Sequence, residues 1–257
     1  MDSKINKADD EVQKLISEKR IKSVEDRRVA SEIFDDLTLK TLYKLAKQNY
    51  IDILNGAIST GKEANVLKGI TDDKSFVAVK IYRIATSDFK KMNYYISGDP
   101  RFNIRTKNKR QVINAWVNKE YRNLKRLYEA EVNVPQPITA LNNVLILEFI
   151  GDEYGNAYPT AKVKPPKDPE AFFKKLLEQM KKIVNDANLI HGDLSNYNIL
   201  NKKETPVIID VSQSVVKDHA IATELLDRDI NTIAKEYTKL GVNTSYDKIA
   251  EFINNKQ

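Results

Sequence analysis

The sequence predicts an α+β fold in two lobes, and three observations carry that reading. Apolar residues recur at helical steps of three and four near the N-terminus, again from about Val112 to Glu129, and again beyond Asp168. Between the first two of these blocks, from Ile51 to Tyr82, the pattern turns to β-branched runs typical of strands. One Pro- and Lys-rich stretch, "NAYPTAKVKPPKDP", separates the strand-bearing part from the helical remainder and is suited to join two lobes.

Taken in order, residues 8–50 read as helices, with Ala30, Ile33, Phe34 and Leu37, then Leu39, Leu42 and Leu45, spaced to bury one face. Strands follow and end in "SFVAVKIY", where Phe76, Val77, Val79 and Ile81 suit a buried strand. Residues 83–111 lose periodicity, become basic between Arg101 and Arg110, and read as a partly mobile insertion. The helix from about Val112 carries Ile113, Trp116, Val117, Leu124 and Leu127 on its apolar stripe. Glu120 interrupts that stripe four residues from both Trp116 and Leu124, where an unpaired carboxylate is costly, so it requires a cationic partner. Asn142-Asn143 reads as the turn of a hairpin leading into "VLILEFIG". Asp168 caps a helix with Pro169 in its first turn, and Phe172, Phe173, Leu176, Leu177, Met180 and Ile183 form its core face. After "LIHGDLSNYNIL" comes a short strand, "PVIIDVSQSV", and then two helices.

Composition narrows the function. A chain of 257 residues that is 41% hydrophobic buries a full core, and no solenoid repeat is present. No run of 18 apolar residues occurs and "MDSKINKADDEVQK" lacks the apolar segment of a secretory signal, so a cytoplasmic protein with no membrane partner is expected. Without cysteine, and with only His191 and His219, thiolate chemistry is excluded, a His-based zinc site is disfavoured, and any metal is expected on oxygen ligands. The net charge of +6 leans toward polyanionic partners such as nucleotide or RNA.

The segment "NGAISTGKEANVLKG" admits two phosphate-binding registers. A Walker loop needs Ser or Thr after Gly61-Lys62 and then a helix; Glu63 and the strand-like "ANVLKGI" fail both requirements. Ser59-x-Gly61-x-x-Ala64-x-Val66 has instead the spacing of the protein-kinase loop G-x-G-x-x-G-x-V, with two glycines replaced. Small residues there still let backbone amides approach phosphate, while Ser59 and Ala64 stiffen the loop.

"HGDLSNYNIL" is the most specific signal. Asp193 and Asn198 stand five apart, the D-x-x-x-x-N spacing of a kinase catalytic loop, and Asp210 follows an apolar strand twelve residues later, in the place of the aspartate of D-F-G. Phosphoryl transfer needs a carboxylate to orient and deprotonate the acceptor hydroxyl, which fits Asp193, and oxygen ligands for the Mg2+ that bridges phosphates, which fit Asn198 and Asp210. Lys80 of "VAVK" supplies the cation that Glu120 lacks, as the ion pair positioning the α and β phosphates requires. His191, at the H of H-R-D, reads as a brace of the loop.

Together "STGKEANV", "VAVKIYR", "SDFKKM", "WVNKEYRNL", "VPQP", "LEFIG", "HGDLSNYNIL" and "IIDVSQSV" resemble the RIO protein kinases, an atypical branch of the protein-kinase fold, and within it the first subfamily in a compact, archaeal-like form. The likeness spans Gly56 to about Ile233. The second RIO subfamily carries a winged helix ahead of the kinase, and the N-terminal segment here does not resemble one. The resemblance implies a protein serine/threonine kinase that binds ATP and Mg2+, with Mn2+ as a substitute, phosphorylates serine in itself and in other proteins, and acts in maturation of the small ribosomal subunit and its rRNA. It implies the phosphate loop Ser59, Thr60, Gly61, Lys62, Glu63, Ala64 and Val66, the ion pair Lys80–Glu120, an adenine hinge from Glu148 to Ile150, Asp193 as catalytic aspartate, and Asn198 and Asp210 as metal ligands. It also implies ATPase turnover, with Asp210 as a second candidate phosphoryl acceptor. The expected layout is a helical extension over 1–50, an N-lobe over 51–147 with the insertion at about 83–111, a hinge over 148–151 and a reduced C-lobe over 152–257.

Departures from ordinary kinases are informative. Gly192 replaces the arginine of H-R-D, D-F-G is Asp210-Val211-Ser212, and no A-P-E follows, so the usual peptide-binding platform is expected to be missing. Two other readings stay open at this level. Small-molecule phosphotransferases of the aminoglycoside-kinase type share H-G-D-x-x-x-x-N, and a nucleotide-switched rRNA-binding factor would use the basic run Arg101, Arg105, Lys107, Lys109 and Arg110 beside Phe102. Ser97 and Thr106 in the insertion are candidate self-phosphorylation sites.

Overall fold

Alternation along one strand decides where the chemistry sits. The computed structural model describes residues 34–99, 101–102 and 108–255. Helix α1 (Asp36–Lys47) precedes strands β1 (Ile53–Thr60), β2 (Ala64–Ile70) and β3 (Phe76–Tyr82); helices α2 (Phe89–Ser97) and α3 (Lys109–Glu129) and strands β4 (Pro137–Leu141) and β5 (Val144–Glu148) complete this lobe. The strands form one antiparallel sheet in the order β1-β2-β3-β5-β4. Side chains of β3 alternate between its faces. Val77, Val79 and Ile81 join Leu67, Val144 and Ile146 against Leu42 and Leu45 of α1. Tyr82 joins Leu145 and Leu147 against Trp116, Val117 and Leu124 of α3. Lys80 has the parity of Tyr82, and so it enters the sheet face that α3 covers.

Two expectations change here. In α1 the buried face is Thr38, Thr41, Leu42 and Leu45, and Leu37 is 49% exposed. The threonines bury because their hydroxyls are partnered: Asn143 Nδ2 donates to Thr38 Oγ1 at 2.8 Å, and Asn142 Nδ2 to Thr41 Oγ1 at 2.9 Å. The stretch read as an aperiodic insertion contains α2, capped by the Asp88 side chain and burying Met92, Tyr95 and Ile96. Three buried residues over one and a half turns are too short a signal to stand out from the basic sequence around them. Arg101 pairs with Asp99 and Arg110 with Asp35, both at 2.7 Å, while Ala30, Ile33, Arg105, Thr106 and Lys107 lie outside the described residues.

The second lobe follows β5. It holds α4 (Pro169–Asn185), the short strands β6 (Leu189–Ile190), β7 (Ile199–Asn201), β8 (Pro206–Ile208) and β9 (Val215–Val216), and helices α5 (Ala222–Lys239) and α6 (Tyr246–Asn254). Asp168 caps α4 with Pro169 in its first turn, and Phe172, Phe173, Leu176, Met180 and Ile183 are buried. β7 pairs with β8 and β6 with β9, which brings the segments carrying Asp193, Asn198 and Asp210 together. The Pro-rich stretch is tied down: Ala161 N donates to Ile199 O at 2.7 Å and Lys162 N to Asn196 O at 3.0 Å.

Candidate active site

Lys80 is 7% exposed, and its ammonium meets two carboxylates: Glu120 Oε1 of α3 at 2.7 Å and Asp210 Oδ1 at 3.1 Å. Burial disfavours its charge, but Asp210 and Glu120 outweigh burial and hold its pKa well above the ordinary value. Glu120 is 1% exposed; burial pushes its carboxyl upward, and Lys80 opposes that rise. The tyrosine hydroxyl of Tyr82 donates to Glu120 Oε2, so both oxygens of the glutamate are served. Although the Asp210 side chain is 46% exposed, the protein around its carboxylate partly desolvates it and pushes its pKa up, and Lys80 with the hydroxyl of Ser212, 2.9 Å from Oδ1, outweighs that and holds it below the usual range. Asp210 takes a left-handed backbone conformation (φ 56°), uncommon for a residue with a side chain.

The catalytic-loop segment is clamped from three sides. His191 Nδ1 accepts from Asp193 N at 3.2 Å, which leaves the proton on Nε2 to reach Ile209 O at 3.2 Å. Asp229 of α5 accepts from Gly192 N at 2.7 Å and Leu194 N at 2.8 Å, and Arg228 donates to Gly192 O. Burial pushes the Asp229 carboxyl up, against the pull of His191 and the two amides. Asn198 Nδ2 donates to Asp193 O at 2.8 Å. Asp193 itself is exposed at the mouth of this loop.

Ser59, Thr60, Ala64 and Val66 sit in a β-hairpin rather than a free loop: Ser59 pairs with Val66 and Thr60 with Asn65, and Gly61 N donates to Ala64 O at 2.9 Å. A Cβ on Gly61 would lie 3.0 Å from Ala64 O, so a larger residue there would push the Ala64 carbonyl aside by a few tenths of an ångström. Lys62 and Glu63 occupy that turn. Val66 is paired with Lys80 across β2 and β3, which carries the hairpin over the ion pair. Glu148 and Ile150 line a cavity of about 320 Å³ with Asn133, Val134, Lys202, Lys203, Thr205 and Val207.

Several residues here were not singled out from sequence. Lys119 is fully buried beside Glu120; its ammonium donates to Ser212 O at 3.0 Å and to Ser214 O. Burial lowers its pKa from 10.5 to about 7. Asn123, one turn on, donates to Val211 O at 2.9 Å and Ser214 O at 3.0 Å. Thus α3 grips the backbone that follows Asp210. Tyr82 was detectable by its two-residue offset from Lys80 on a strand. Asp229 lies far from every motif and gave no signal.

Metal fit follows from the donor set. Asn198 spends its amide nitrogen on Asp193 O and keeps an oxygen; Asp210 is 46% exposed in its side chain, with Lys80 and Ser212 on one oxygen. Among the described residues no cluster of three His, Cys, Asp or Glu exists, so a cation here would take two side-chain oxygens and complete its shell with phosphate and water, the habit of Mg2+.

A five-stranded lobe whose lysine bridges a helix glutamate and a loop aspartate, facing a helical lobe with Asp193 and Asn198 on a clamped loop, defines the protein-kinase class of phosphotransferase. The family model described as the RIO domain matches residues 65–249. The chain is 43% identical over 249 residues to the RIO-type serine/threonine-protein kinase Rio1 of Methanocaldococcus jannaschii, spanning 97% of this chain and 85% of that one. It is 38% identical over 258 residues to the Rio1 of Haloferax volcanii, spanning 97% and 88%. With the human serine/threonine-protein kinase RIO1 the identity is 38%, over 89% of this chain and 41% of that one. A crystal structure of the Rio2 kinase–ADP/Mg2+–phosphoaspartate complex from Chaetomium thermophilum superposes with a TM-score of 0.66 at 22% identity, covering 86% of this chain and 67% of that one. The chain belongs to the RIO family, in its Rio1 branch, and is a protein serine/threonine kinase of that family. Among the described residues no helix is long and apolar enough to cross a membrane.

Proposed function

We propose that the chain transfers the γ-phosphoryl group of ATP, with Mg2+ or Mn2+, to serine in proteins including itself, in the cytoplasm and in the course of small ribosomal subunit maturation. The observation that carries this reading is Lys80 held between Glu120 and Asp210 at 2.7 and 3.1 Å. An ammonium has three donors, and these contacts use two, leaving one for phosphate. The hairpin Ser59, Thr60, Gly61, Lys62, Glu63, Ala64 and Val66 offers backbone amides to the phosphates, with small residues at Ser59, Gly61 and Ala64, and the hinge from Glu148 to Ile150 meets adenine through its backbone. Asn198 and Asp210 would hold the cation. When bound, Mg2+ offsets the charge on the phosphate oxygens.

In this reading Asp193 orients the acceptor hydroxyl and takes its proton as the oxygen attacks the γ-phosphorus; the bond to the bridging oxygen breaks and ADP leaves. The proposed layout is an extension over 1–50, an N-lobe over 51–147, a hinge over 148–151 and a C-lobe over 152–257. Asp210 is a second candidate acceptor, and the phosphoaspartate of the Rio2 complex supports that choice. A docking role on rRNA has less support, because Arg101 and Arg110 of the basic run are committed to Asp99 and Asp35.

Mass spectrometry after incubation with ATP and Mg2+ tests the reading. Acid-stable phosphoserine is expected on the chain and on an added protein acceptor, and Asp193→Asn should lower transfer by about 100-fold or more while ATP still binds. Transfer that survives Asp193→Asn unchanged would overturn it.

A further inference from the structure

The side chain of Gln213, within "IIDVSQSV" but given no role by the kinase pattern, joins the catalytic loop to the loop that follows Asp210. Its Nε2 donates to Asp193 Oδ2 at 3.0 Å. Only the amide nitrogen can make this contact, because an ionised carboxylate accepts and cannot donate.

The backbone on either side of Gln213 is fixed. Ser212 O and Ser214 O both accept from Lys119, Ser214 O accepts a second bond from Asn123, and Ser214 Oγ donates to His191 O at 2.9 Å. Gly192, the residue before Asp193, makes the approach feasible. It has φ +82°, and a Cβ there would stand 3.2 Å from Gln213 O and 3.3 Å from Leu225 Cδ1. The position that carries arginine in H-R-D is therefore backbone packed on backbone, and the following side chain reaches Asp193.

The main chain of Asp193 is itself held, at its nitrogen by His191 and at its carbonyl by Asn198. That clamp leaves the carboxylate free about its last torsion, which for aspartate is broad and weakly staggered. Proton abstraction needs the oxygen within about 10–20° of its productive direction. We propose that Gln213 is a positioning residue for Asp193: it pins Oδ2 and so reserves Oδ1 for the acceptor hydroxyl. The proposal rests on Asp193 being the catalytic carboxylate.

Steady-state kinetics on the full chain, with ATP, Mg2+ and casein as acceptor, separates a donor role from a packing role. Loss of one hydrogen bond to a charged group predicts that Gln213→Ala lowers kcat about tenfold, with KM for ATP within about twofold. Gln213→Glu keeps length and shape but removes the donor and sets two carboxylates side by side, so it should fall below Ala. Gln213→Lys restores a donor and should recover part of the rate. Variants with wild-type kcat, or Glu closer to wild type than Ala, overturn the proposal while Asp193→Asn remains dead. A wild-type chain whose transfer does not depend on Asp193 overturns both this proposal and the reading beneath it.

Discussion

Replacing Lys119 by methionine gives the most direct measure of how the site is anchored. Lys119 is 0% exposed, lies 5.5 Å from the ring of Trp116, and is influenced by Asp99, Arg101, Glu120 and His219. Burial lowers its pKa from 10.5 to about 7. Below pH 7 the folded and unfolded chains both hold this proton, and the full penalty of a buried charge weighs on the fold. Between about 7 and 10.5 the unfolded chain keeps the proton and the folded chain releases it, so stability rises with pH. The slope approaches about 1.4 kcal/mol per pH unit, and the gain from pH 7 to 9 comes to roughly 2 kcal/mol. Methionine keeps much of the stem and removes the titrating group, so that rise should vanish in Lys119→Met. Urea unfolding followed by the fluorescence of Trp116, the one tryptophan, reads the difference between the two proteins at pH 6, 7, 8 and 9. The stability difference should shift toward wild type by roughly 2 kcal/mol between pH 7 and 9. Parallel curves for the two proteins across that window would refute the assignment of a depressed pKa to Lys119.

Two further outcomes test the frame around the site. Glu120→Gln breaks a buried ion pair and should cost about 3 kcal/mol or more in chemical denaturation, with kcat/KM for ATP falling about tenfold or more; an active, equally stable variant would remove the ion pair from the mechanism. Asp229→Asn removes one of two acceptors beneath the catalytic loop, so either Gly192 N or Leu194 N loses its partner. A loss of about 1–3 kcal/mol is expected, with faster amide hydrogen exchange confined to that loop.

What sequence could disclose divides along physical lines. The strand "VAVK", the glutamate on an apolar helix face and the HGD loop were legible because each violates or sharpens a local pattern. Glu120 demanded a cation, and one lies 2.7 Å away. Helix α2 was missed because its signal is three residues long. Leu37 was assigned inward because threonine counts as polar in a hydrophobic pattern, although Thr38 and Thr41 bury once Asn143 and Asn142 serve their hydroxyls. The roles of Lys119, Asn123 and Asp229 depend on backbone carbonyls and amides, and that of Gln213 on the Asp193 carboxylate, all brought near by tertiary folding, and no spacing rule encodes those.

The apolar residues Tyr82, Trp116 and Leu145 of the sheet-bearing lobe share one uninterrupted cluster with Phe172, Ile199 and Ile233 of the helical lobe. Two lobes that share one interior are expected to melt in a single cooperative transition, which calorimetry of the full chain would show as one peak. Any opening between the lobes therefore costs apolar contact inside that shared cluster.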